Sequence, residues 1–230
     1  MQVYKNLIYL GAGTQPKLNE LATLAEQLWL VEASNKAIEE LQQQASEYPS
    51  IRVIPALVDT ACGSGTFYEY SLAWANGPTQ PSKNIQRLYP GLHLLSSEKQ
   101  MTTDINQLVD DCLGLDASSQ NSRQENLLII DLGEQTQALL NALHESRKLL
   151  AFSAVVVVPP HRYTSVLIAP PTLHGPVASS EVMPAGFMEN SQVFTRHPLA
   201  QQLQLLQLEL QQTQQLMAKQ AEQCDEQTTL

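Results

Sequence analysis

Gly11 and Gly13 sit in LIYLGAGTQP, where an apolar run stops and a turn begins. A Gly-x-Gly turn between a strand and a helix lets the backbone come close to a ligand, and the helix start supplies free N–H groups. Glu32 closes the next apolar run, WLVEAS. An acid at the end of a second strand can accept both ribose hydroxyls of an adenosine cofactor. Asp131 follows NLLII; there a carboxylate either faces the cleft of an open α/β sheet or caps the next helix. Asp59 opens DTACGSG and has two readings as well, an adenine contact or the start of a tight turn.

Other chemistries fail on spacing. A G-x-G-x-x-G dinucleotide pattern is broken by Pro16, and no G-x-x-x-x-G-K-[ST] phosphate loop occurs. Both absences favour an S-adenosylmethionine-type site, which needs no pyrophosphate cradle. His93, His144, His161, His174 and His197 are dispersed, so no metal site is expected. His161 follows Pro159-Pro160 and is either a general base reaching the cleft or a solvent-facing loop residue. Ser64 lacks the nucleophile-elbow context because Cys62 stands where a glycine is required. Cys62, Cys112 and Cys224 are odd in number and widely spaced, which fits free thiols in a reducing compartment.

The formal charge of −10 and the pI near 4.9 argue against nucleic-acid binding by phosphate neutralisation and against a polybasic membrane patch. No run approaches the ~18–20 apolar residues that span a bilayer. The N-terminal apolar run is too short and interrupted for a secretory signal. A soluble, cytoplasmic protein is therefore expected.

The elements that would position these residues read as follows. Val3 to Leu10 predicts a buried strand, and Leu18, Leu21, Ala22, Ala25 and Leu28 mark one face of a helix. Trp29 to Ala33 is a second strand. Ser34 or Asn35 caps a helix with Ala37, Ile38 and Leu41 inward, and Ile51 to Val58 is a third strand that Pro55 cuts short. This β-α-β-α-β order predicts an α/β fold, a doubly wound and mostly parallel sheet. TFYEYSL alternates like an exposed or edge strand, and residues 74–90 read as a long loop, either a lid or disordered. MTTDINQLVDDCL predicts a helix starting near Thr103 or Asp104. A strand at 127–131, a helix carrying Leu139, Leu140 and Leu143, and the strand in FSAVVVVPP restart the pattern. Weaker strands are read in TSVLIA and GFMENSQVFTR.

From Leu199 the composition turns to Gln and Leu. Leu199, Leu203, Leu206, Leu210, Thr213 and Met217 keep the 4-3 spacing of a heptad seam. Residues 199–224 then form a short coiled coil that joins a second copy or a protein partner. Alternatively Leu205, Leu208 and Leu216 widen the stripe and the helix packs on its own domain.

YLGAGTQ with VEAS, IRVIPALVDTACGSGTFY, and NLLIIDLGEQTQALLNAL with LLAFSAVVVV occur in the order and spacing of one family. Over residues 4–160 the chain resembles the FkbM-type methyltransferases, class I S-adenosylmethionine-dependent enzymes with a Rossmann-like fold that O-methylate sugars and related hydroxyls. The resemblance implies a methyltransferase domain over residues 1–195, and the Gln/Leu-rich composition a separate helix over 196–230. It implies that Gly11, Gly13, Glu32 and Asp59 bind S-adenosylmethionine, that Asp131 lies near the transferring methyl, and that the acceptor is a small molecule or glycan. The chain also departs from the pattern. Tyr9 stands where an acid usually holds the donor's amino-acid end, and Gln15 replaces the last glycine of the turn. Ile129 replaces a Lys, and Leu132-Gly133-Glu134 replaces the usual x-Glu-Gly. Those departures leave a second expectation open, a catalytically degenerate binding module that works through its C-terminal helix.

Overall fold

The first strand, β1 (Tyr4–Leu10), is buried at every position but Lys5, the pattern of a strand covered on both faces. The computed structural model describes residues 4–114, 125–158, 173–177, 191–196 and 213. After β1 come α1 (Leu18–Ala22), β2 (Ala25–Glu32), α2 (Asn35–Ala45), β3 (Ile51–Pro55) and β4 (Leu57–Asp59). Next are β5 (Gly63–Tyr70), α3 (Lys83–Leu88), β6 (Leu94–Asp104), α4 (Ile105–Leu113) and β7 (Asn126–Ile130). The remaining described elements are α5 (Thr136–Glu145), β8 (Ala154–Val157), β9 (Leu173–Val177) and β10 (Gln192–Arg196).

Seven strands form the main sheet in the order β3-β2-β1-β7-β8-β10-β9. β10 runs antiparallel to both neighbours, and the other pairings are parallel. Alternate residues of β1 feed opposite layers. Leu7 and Tyr9 join Leu18 and Leu21 of α1 and Leu41 and Ala45 of α2. Ile8 and Leu10 join Ile105, Leu108 and Val109 of α4 and Leu139, Leu140 and Leu143 of α5. With helices on both faces of a mostly parallel sheet, the fold is doubly wound and Rossmann-like.

Several elements differ from the sequence expectations. The helix read through Leu28 stops at Ala22, and Ala25 and Leu28 belong to β2. Their helical spacing coincides with the buried positions of a two-face-covered strand, and pairing with β1 from Tyr4↔Ala25 onward decides between the two. The third strand divides at Ala56, and β4 leaves for a second sheet of order β4-β6-β5. The helix expected to start near Thr103 or Asp104 is α4, which begins at Ile105 with Asp104 as its cap, Oδ1 accepting from Asn106 N at 2.7 Å; Met101 to Asp104 themselves end β6. The stretch read as a loop holds a short 3-10 turn, Ala73–Ala75, and α3. Ser34 caps α2 as expected, accepting from Ala37 N at 3.4 Å. TSVLIA and all of the heptad segment but Thr213 lie outside the described residues, as does His161. Among the described residues no helix is long and apolar enough to cross a membrane.

Candidate functional site

Val31, Leu10 and Ile130 lie in one row across β2, β1 and β7. The next residues, Glu32, Gly11 and Asp131, therefore leave the sheet side by side at its C-terminal edge. The chain winds from β1 outward to β3 and later restarts at β7 on the other side, so the gap between β1 and β7 is the topological switch point. Open α/β sheets bind ligands there.

The two glycines of the turn do different things. Gly11 has φ +78, and a Cβ on it would lie 2.2 Å from the Asp131 carbonyl oxygen. Its N–H donates to Val31 O at 2.9 Å while Asp131 N–H donates to Leu10 O at 2.9 Å. Gly11 thus lets the turn seat against the end of β7. Gly13 has φ +65, and no atom lies within 4 Å of where its Cβ would be. That flank is open to a ligand.

Glu32 is 8% exposed and already serves its own backbone. Its Oε2 accepts from Gly13 N at 2.8 Å, and its Oε1 accepts from Ala33 N at 2.7 Å and Ser34 N at 2.9 Å. A carboxylate has roughly four acceptor sites, so about one remains. Glu32 can take one ribose hydroxyl as it stands. The two-hydroxyl grip read from the sequence would require it to release an N–H.

Asp131 meets solvent at its surface but is ringed by protein at longer range, and its carboxyl is pushed up to about 6. Desolvation is the larger cause and the charge of Glu32 the smaller. Tyr9 completes the group. Its ring is buried, and its phenol is held above its ordinary range by burial, then by Asp131, then by Glu32. The phenol is therefore a neutral hydroxyl at working pH, within electrostatic reach of two acids. The sequence marked Tyr9 only as a departure; its place beside both carboxylates follows from β1 being central, which one strand's sequence does not reveal.

Asp59 shares no hydrogen bond with Gly13, Glu32 or Asp131. It is half-buried at the end of β4, in the second sheet, and its Oδ1 accepts from Thr60 N at 2.7 Å. Gln15 is exposed. Ser64 lies on β5, away from the switch point, and Cys62 is exposed with Sγ 3.8 Å from Gln107 Oε1. Cys112 is buried in the core, where burial and then Asp111 push its thiol up to about 12. A groove of about 280 Å³ opens between α2 and the small sheet beside the 33–35 segment, lined by residues including Lys36, Phe67, Glu69, Ser96, Glu98 and Gln100. We place the site at the switch point rather than in that groove, because the open glycine and the raised carboxyl are at the former.

The sheet order and the site geometry define a Rossmann-like α/β protein with two carboxylates, Glu32 and Asp131, beside a glycine turn at its switch point. No family model and no curated protein matches the chain. It is similar to the solved structure of a mutant of MtNAS, a nicotianamine synthase, in complex with S-adenosylmethionine. Identity is 13%, the TM-score is 0.41, and the match covers 86% of this chain and 56% of that one. The chain thus spans little more than half the length of that protein.

Proposed function

We propose that the chain is an S-adenosylmethionine-dependent methyltransferase of FkbM type that methylates a hydroxyl of a sugar or glycan-related acceptor. The observation that carries this reading is the open flank of Gly13 beside the buried carboxylate of Glu32. The residues fit an adenosyl group: a Cβ at Gly13 would fill the cradle, and Glu32 keeps about one acceptor site for a ribose hydroxyl. When bound, the cofactor supplies an electrophilic methyl on a sulfonium. Asp131, with its carboxyl near 6, is ionised at neutral pH and suited to take the proton of the acceptor hydroxyl. Tyr9 keeps a neutral hydroxyl within electrostatic reach of both acids. Asp59, tied to Thr60, is left out of the proposed site. Residues 1–195 form the methyltransferase domain and residues 196–230 a helix for self-association or a protein partner. If truncation after Arg196 left the molar mass in light scattering proportionate to one chain in both forms, self-association would be abandoned.

Calorimetric titration with S-adenosylmethionine and S-adenosylhomocysteine tests the cofactor. The expected result is micromolar binding, weakened at least tenfold by Glu32→Gln and unchanged by Asp59→Asn. No binding to the wild-type protein would reject it. One observation favours the second reading, a binding module without catalysis: three backbone N–H groups already occupy most of Glu32.

A further inference from the structure

The segment that follows β2 is held from two sides. On one side, Ala33 and Ser34 aim their N–H groups at Glu32 Oε1. On the other, the β5–β6 hairpin reaches over with side chains. Ser34 Oγ donates to Glu69 Oε1 at 2.6 Å, and Ser96 Oγ donates to Glu69 Oε2 at 2.9 Å. Gln100 Nε2 donates to the Ala33 carbonyl at 3.2 Å, and Asn35 Nδ2 donates to Glu98 Oε2 at 3.2 Å. Ser34 is the shared residue, since its N–H serves Glu32 and its hydroxyl serves Glu69. Glu69 is half-buried and receives hydroxyls from both the site segment and β6, so it joins them through charge-assisted bonds, the stronger kind.

We infer that Glu69 is a positioning residue for the switch-point site: by holding Ser34 and Ser96 it fixes the 33–35 segment that aims Glu32 at Gly13. Glu69 lines the α2–hairpin groove, and its carboxylate is engaged by Ser34 and Ser96. Its effect passes through Ser34 to Glu32 and so to the turn at Gly13. The consequence for ligand recognition rests on the nucleoside-binding reading above; the mechanical link does not.

Amide hydrogen exchange in the ligand-free protein reads the link directly. In Glu69→Ala the Gly13, Ala33 and Ser34 amides should exchange about tenfold faster, while Leu128 and Ile129 in β7 keep their protection. Glu69→Gln should restore slow exchange, because its amide can accept from one serine and donate to the other. Unchanged exchange at Gly13 in Glu69→Ala would overturn the proposal, and so would equal loss in the Gln variant. The ligand arm compares S-adenosylhomocysteine with its 2′-deoxy and 3′-deoxy forms. Wild-type and Glu69→Gln proteins should prefer the full ribose at least fivefold over one of the two deoxy forms, and Glu69→Ala should lose that preference. Failure of the wild-type protein to bind any of them would reject the nucleoside reading and leave the exchange result to decide on Glu69.

Discussion

The C-terminal edge of the main sheet and the small β4-β6-β5 sheet are built on opposite terms. At the main edge β7 and β8 are buried at all of their positions, and Gly11, Glu32 and Asp131 go where backbone pairing sends them. β6 is exposed along most of its length, with Leu95 at 63% and Met101 at 74%. It is held to α2 and the site segment by hydroxyl, amide and carboxylate side chains. One region owes its geometry to apolar burial and the other to directed hydrogen bonds, so substitutions should hurt them differently.

The largest effect belongs to the packed layer. Phe152, fully buried between β8 and the α4–α5 side, should cost about 3–5 kcal/mol as Phe152→Ala in urea unfolding. A smaller loss there would mean that the layer collapses around the gap. The two glycines separate next. Gly13→Ala meets only left-handed strain, about 1–2 kcal/mol, and leaves the fold intact. Gly11→Ala adds a collision with the Asp131 carbonyl and should cost clearly more. Equal costs would show that the turn can lift off β7.

The pH response of Asp131 is smaller. Its carboxyl is higher in the folded state than unfolded. Its proton therefore stabilises the fold at low pH, and that stability is lost as pH rises from about 4 through about 6. Asp131→Asn should flatten this window in thermal unfolding and slightly stabilise the protein at pH 7. Because water reaches the group, the change should be modest. Unaltered pH dependence would place the raised carboxyl elsewhere. Smallest of all, Met101→Gln on the exposed hairpin should stay within about 0.5 kcal/mol of the wild type.

The same contrast governs what could be read from the chain. NLLII, SAVVVV and the Ser34 cap carry their structure in local composition, and the parallel order with its switch-point residues followed from them. β6 could not be read this way. LLSSEKQM has no apolar alternation, because its inward side chains meet polar partners at α2 rather than a core. Glu69 was hidden for the same reason: its role depends on Ser34 and Ser96, each far from it in the chain. Glu32 was legible as a strand-end acid following a glycine turn; its bond to the Gly13 N–H was not. That its oxygens would be taken up by backbone N–H groups was not, since it depends on how tightly the 33–35 segment folds back.

Amide chemical shifts during a titration with S-adenosylhomocysteine test the central claim most directly. The account predicts saturable shifts at Gly13, Ala33 and Ser34, with the Asp131 side chain following and Lys36 and Glu98 in the α2–hairpin groove left unmoved. Shifts confined to that groove, or none at millimolar ligand, would contradict a nucleoside site between β1 and β7.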